Sequence, residues 1–172
     1  FYAGAVAWGD YDNDGRLDLL LEGANPVVAR KAQVWRNTGS GFTNINAGLA
    51  GVADGSLAWG DYDNDGQLDI LLTGSVNATP GGAKAQVYHN NGDETFAHIG
   101  AGLSGVFRSS ASWGDYDNDG RLDILVTGLN ANNSPIAQVW RNHLPATNTA
   151  PAAPSGLNLA VSNTSATLTW NP

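Results

Sequence analysis

The chain has 172 residues, 42% of them hydrophobic, and a formal net charge of −8 from 16 acidic and 8 basic side chains. It contains no cysteine, which excludes disulfides and thiolate metal sites. Without a Lys/Arg cluster it offers no nucleic-acid footprint, and no run approaches the roughly 20 apolar residues of a membrane-spanning helix.

Phe1 falls inside a repeat, so the chain reads as a piece of a longer protein, with further domains on both sides and its targeting segment elsewhere. An alternating stretch from Ala5 to Asp10 reads as a strand, and Leu17 to Glu22 as a second one rich in leucine. Between them lies WGDYDNDGRLD, which recurs as WGDYDNDGQLD from Trp59 and WGDYDNDGRLD from Trp113. Aspartates occupy positions 1, 3, 5 and 9 of each loop: Asp10, Asp12, Asp14 and Asp18; Asp61, Asp63, Asp65 and Asp69; Asp115, Asp117, Asp119 and Asp123. Two unit charges about 4 Å apart repel by roughly 4 kcal/mol at a surface-like dielectric, so such a loop calls for a cation. Hard carboxylate oxygens with no imidazole or thiolate in the loop favour Ca²⁺, about one ion per repeat and three in all.

Gly15, Gly66 and Gly120 at position 6 permit a φ > 0 bend. Position 7 changes from Arg16 to Gln67 to Arg121, which suits a ligand donated by the backbone carbonyl rather than the side chain. Position 12 is Leu21, Leu72 and Val126 where an EF-hand needs a glutamate, and no flanking helical pattern exists. These loops hold 12 of the 16 acidic residues, so the acidity says nothing about basic partners. Sites of this kind fill where calcium is millimolar, which points to an extracellular or cell-surface protein.

Two more strands follow in the first repeat, Ala32 to Asn37 and Phe42 to Asn46; the second repeat offers Ser56 to Asp61, Leu68 to Thr73, Ala85 to Asn90 and Phe96 to Gly100. The tryptophans are spaced by 51 and 54 residues, and the difference is confined to loops. The fold class is therefore all-β, with three four-stranded antiparallel blades of an incomplete β-propeller over 1–51, 52–105 and 106–143. Antiparallel order puts the variable loops 24–31, 75–84 and 129–136 at the end opposite the aspartate loops. That end is the candidate face for a protein or glycan ligand.

The third repeat lacks a fourth strand and passes into a Pro/Ala/Thr-rich linker, 144–154. In a closed ring, the chain's other end can supply that strand. Trp8, Trp59 and Trp113, with Trp35, Tyr88 and Trp140, are assigned to packing between blades. Tyr11, Tyr62 and Tyr116 are assigned to covering the ion, and Arg36 and Arg141, which share a position with His89, to the surface. His89, His98 and His143 do not recur at matching positions with carboxylates around them and are assigned no catalytic or metal role, and the sequons at Asn77, Asn132 and Asn163 matter only where the source glycosylates. No nucleophile elbow, phosphate-cradling loop or zinc-protease motif is present, so no catalytic residue is assigned and the chain reads as non-catalytic.

WGDYDNDGRLDLL followed by AQVWRNTGSGFTNINAGL resembles the FG-GAP/VCBS repeat family, whose calcium-loop blades also build the integrin alpha-subunit propeller. The resemblance covers residues 1 to about 143. It implies a seven-bladed ring with the ion held between the first and second strands of a blade, and a role in adhesion or recognition. The FG-GAP dipeptides themselves are not spelled here, which favours the bacterial VCBS branch. Residues 155–172, SGLNLAVSNTSATLTWNP, resemble the opening of a fibronectin type III β-sandwich. Because some polysaccharide lyases resemble this architecture, the propeller part of a secreted glycan-degrading enzyme is the alternative function.

Overall fold

The computed structural model describes residues 2–25, 29–77 and 79–144, together with the backbone of two strands at 155–161 and 166–171. Strands β1 (Tyr2–Gly9), β2 (Asp18–Asn25), β3 (Ala29–Asn37) and β4 (Phe42–Asn44) form one antiparallel sheet in sequential order. The second repeat supplies β5 (Leu57–Gly60), β6 (Asp69–Ser75), β7 (Ala83–Asn90) and β8 (Phe96–His98), with a short 3-10 turn at Pro80–Gly82. The third supplies β9 (Val106–Gly114), β10 (Asp123–Asn130) and β11 (Pro135–Trp140). No α-helix occurs among the described residues.

Hydrogen bonding makes the second and third repeats formally continuous, but only the pair Lys84↔Val106 joins β7 to β9. Physically there are three sheets stacked face to face. One apolar layer, built around Tyr11, Leu20, Val34, Leu57, Ile70 and Leu72, lies between the first and second. Another, around Leu71, Val87, Ala111, Ile124 and Val126, lies between the second and third. With a neighbour on each side, β6 is buried along its whole length, which is why DILLTGS carries apolar residues on both faces.

A glycine governs each junction. A Cβ on Gly9 would stand 2.5 Å from Cδ1 of Trp59, and one on Gly60 would stand 2.5 Å from Cδ1 of Trp113. The WG dipeptide is thus reciprocal: each indole lies on the glycine of the repeat before it. Near the opposite end of the first strand of each repeat, Ala3, Asp54 and Arg108 take φ of 50°, 58° and 46°. Their backbones form a thread from sheet to sheet, Asp54 N–H donating to Ala3 O at 2.8 Å and Arg108 N–H donating to Asp54 O at 2.5 Å.

Several expectations change. β1 begins at Tyr2, three residues before Ala5, because the register shift between Tyr2 and Ala5 breaks the alternation there. β4 ends at Asn44 rather than Asn46, although Ile45 N–H still reaches Val34 O at 3.2 Å. Trp8 is 59% exposed, since among the described residues no sheet packs on it as the first sheet packs on Trp59. Tyr11 and Tyr62 also serve the junctions, stacking on Trp59 (6.1 Å, 7°) and Trp113 (6.3 Å, 10°). Tyr116, the third of the set, is 59% exposed. Residues 141–144 form no fourth strand, and 145–154 lie outside the described residues. The tail strands β12 (Ser155–Val161) and β13 (Ala166–Asn171) pair antiparallel.

Candidate metal centre

Each aspartate loop joins the first two strands of a repeat, and its backbone turns through two left-handed residues: Asn13 and Gly15, Asn64 and Gly66, Asn118 and Gly120, with φ from 56° to 88°. Asparagine and glycine are the residues that enter this region most easily, which accounts for the DNDG spelling. The first aspartate closes the loop on itself: Asp10 accepts from the N–H groups of Asp14 (3.0 Å) and Gly15 (2.9 Å), and Asp61 and Asp115 repeat the pair of bonds. The fifth-position aspartates, Asp14, Asp65 and Asp119, accept from the N–H of Arg16, Gln67 and Arg121.

The ninth-position aspartates tie each loop to the sheet. Asp18 accepts from Tyr11 N–H (3.1 Å) and Asn37 N–H (2.7 Å), and Asp69 and Asp123 do the same with Tyr62 and Asn90, and Tyr116 and Asn142. All three are buried. Burial pushes the Asp18 and Asp69 carboxyls above their ordinary value against the pull of those N–H groups, and burial with the nearby Asp65 charge does so for Asp63.

Oxygens of Asp10, Asp12 and Asp18 lie within 4.8 Å of one another, as do those of Asp61, Asp63 and Asp65, and of Asp115, Asp117 and Asp123. Oδ1 of Asp12 and of Asp117 is buried with no hydrogen-bond partner. Leaving a buried carboxylate oxygen unpaired is costly, and a hard cation would satisfy it, so the donors fit Ca²⁺.

Residues at the end of the third strand also reach this centre, although Arg141 is an exposed surface residue and Arg36 is only half-buried. Arg36 Nε stands 2.7 Å from Asp12 Oδ2, and Arg141 Nε 2.6 Å from Asp117 Oδ2. In the second repeat His89 Nδ1 stands 3.3 Å from both Asp63 Oδ2 and Asp69 Oδ1. The position-7 side chains are engaged too: Arg16 pairs with Asp14 and donates to Asn37 O (2.8 Å), and Arg121 pairs with Asp119 and donates to Asn142 O (3.1 Å). The recurrence of a basic residue just before the N of WRN and YHN was the available signal; a single sequence did not show that β3 and its counterparts end beside the loop. Above the first loop lies a pocket of about 170 Å³ lined by Asp12, Asp14, Arg36 and Glu94.

Residues 76–126, which include the third loop, match the FG-GAP-like repeat. Among solved structures, the chain is similar to one described as the structural basis of specific recognition of non-reducing terminal N-acetylglucosamine by an Agrocybe aegerita lectin. That similarity has 20% identity and a TM-score of 0.45, and covers 80% of this chain. This chain spans 38% of the length of that one. No curated protein gives a significant match.

Proposed function

We propose that the chain is a calcium-stabilised segment of a β-propeller in a secreted or cell-surface protein, built to present a recognition surface for a protein or glycan. The observation that carries the calcium reading is the unpaired, buried Oδ1 of Asp12 and Asp117 inside carboxylate clusters of fixed spacing. Each ion would be held by the four aspartates and the position-7 carbonyl of one loop, and would cross-link a turn whose charges otherwise repel. Its role is structural, holding the first two strands of each repeat in register. Recognition falls to the opposite end, where the β2–β3, β6–β7 and β10–β11 connections vary in sequence and length on a constant scaffold. The paired β12 and β13 are read as the first hairpin of a fibronectin-like sandwich.

Calorimetric titration of calcium into chelator-stripped protein tests the metal reading. Uptake near three ions per chain is expected, falling by one in each of Asp12→Ala, Asp63→Ala and Asp117→Ala. Absence of heat and of any rise in melting temperature would defeat it. A glycan and protein array, read with the wild type and with variants in the 75–84 loop, tests the recognition face.

A further inference from the structure

We propose that the second repeat holds a site for a borderline divalent cation of the zinc class, made of His89 Nδ1 and one carboxylate oxygen each from Asp63 and Asp69. Nδ1 stands 3.3 Å from Asp63 Oδ2 and 3.3 Å from Asp69 Oδ1, and ligand atoms of the three residues all lie within 4.8 Å of one another. Ligands about 2.0–2.1 Å from a tetrahedral zinc stand roughly 3.3–3.4 Å apart. The two nitrogen-to-oxygen edges therefore already have the length that the metal would give them.

Hydrogen bonding does not account for this approach. His89 Nδ1 is closed to solvent, and neither carboxylate meets it with hydrogen-bond geometry. A buried ring nitrogen left unpaired costs free energy, and a metal ion would take its lone pair directly. The ring is held by Tyr62, which meets it edge to face at 6.2 Å and 89°, and by the pairing of His89 with Ala97 across β7 and β8. Asp69 is held as firmly, being 0% exposed with its two oxygens accepting from the N–H groups of Asn90 and Tyr62. Both ligands are preset by the sheet.

The other two repeats place a different group at this position. Arg36 and Arg141 set Nε 2.7 Å and 2.6 Å from Oδ2 of Asp12 and Asp117, a permanent positive charge on the third-position aspartate. A guanidinium has no lone pair to give a metal and does not lose its proton. The second repeat replaces it with an imidazole, and the position-7 arginine with Gln67. Two carboxylates and a neutral imidazole leave a charge that one divalent ion balances, and the nitrogen donor favours zinc over calcium. The fourth tetrahedral position is left for water. Asp63 and Asp69 also belong to the calcium set proposed for this loop, so the two metals exclude each other there, yet the zinc site does not depend on calcium binding anywhere.

Calorimetric titration of zinc into the chelator-stripped full chain, in calcium-free buffer, tests this. One ion per chain is expected. His89→Arg, which puts the residue of the other two repeats at this position, should take up none, with unchanged far-ultraviolet circular dichroism. His89→Gln replaces it should it fail to fold. His98→Gln, at an exposed histidine of the same repeat, should still bind one ion. Cobalt(II) in place of zinc should give the strong visible absorption of a tetrahedral centre in the wild type and lose it in the His89 variant. No zinc uptake, uptake that survives loss of His89 or vanishes with His98, or the weak spectrum of octahedral cobalt would overturn the proposal. Calcium titration in zinc-free buffer reads the calcium proposal separately, so either can fail while the other stands.

Discussion

At the residue scale, Glu22 is the outlier of the repeat. Its counterpart in the second repeat, Thr73, is buried and exchanges hydrogen bonds with Ser56 and Ser109. Glu22 is 1% exposed, and neither carboxylate oxygen closes a hydrogen bond of standard geometry, although the N–H groups of Gly55 and Ala5 lie close. Burial above all, with the charge of Asp54 adding to it, lifts its pKa from 4.5 to about 7. A carboxyl raised in the folded state holds a proton that the unfolded chain releases. Its contribution to stability is therefore full below the unfolded value and is lost as pH rises through about 7. Glu22→Gln is expected to raise the melting temperature at about pH 8, by the equivalent of roughly 3 kcal/mol at most, and to change it little at about pH 4. Thermal melts at the two pH values check this.

The junction glycines give a second test at this scale. Gly9→Ala and Gly60→Ala push a methyl group into an indole, and overpacking of this kind costs roughly 1–3 kcal/mol. Gly114→Ala meets open space and should leave the melting temperature of the monomer within error.

At the scale of the element, β7 ends in an asparagine that ties three parts together. Asn90 is 1% exposed; its Nδ2 donates to Tyr11 O of the preceding repeat and to Leu68 O, while its Oδ1 accepts from Gly92 N–H. Asn90→Leu leaves those carbonyls unpaired at a buried seam. A loss of roughly 2–4 kcal/mol in urea denaturation is expected, more than from Asn37→Leu, where Nδ2 reaches only Leu17 O of its own repeat.

Strands and loops were largely legible in the sequence because both follow short periods: alternation for β1 and β5, and the fixed aspartate spacing for the loops that follow them. What Arg36, His89 and Arg141 touch was not. Their partners lie across the sheet, and a charged residue at a strand end looks the same whether it meets solvent or a carboxylate cluster.

At the scale of the whole molecule, the proposed calcium would be linked to charge. Three Ca²⁺ would change the formal charge from −8 to −2 (−8 + 6), and the loops that carry most of the negative charge all lie at one end of the sheets. Chelation is expected to lower the melting temperature, and added sodium chloride to recover part of the loss by screening the exposed carboxylates. Differential scanning calorimetry with and without chelator, at low and high salt, reads both effects. An ion whose role were confined to ligand binding would leave the melting temperature unchanged.

The backbone thread through Ala3, Asp54 and Arg108 bears on how freely this scaffold can be redecorated. One small, one anionic and one cationic residue occupy the same left-handed position, because the peptide groups alone make the connection. The line these side chains form can therefore take on a new electrostatic character without altering how the sheets are held. Ala3 and Arg108, both exposed, are the two points of the row where the side chain can be exchanged most freely, whereas Asp54 faces Arg30 and Glu22.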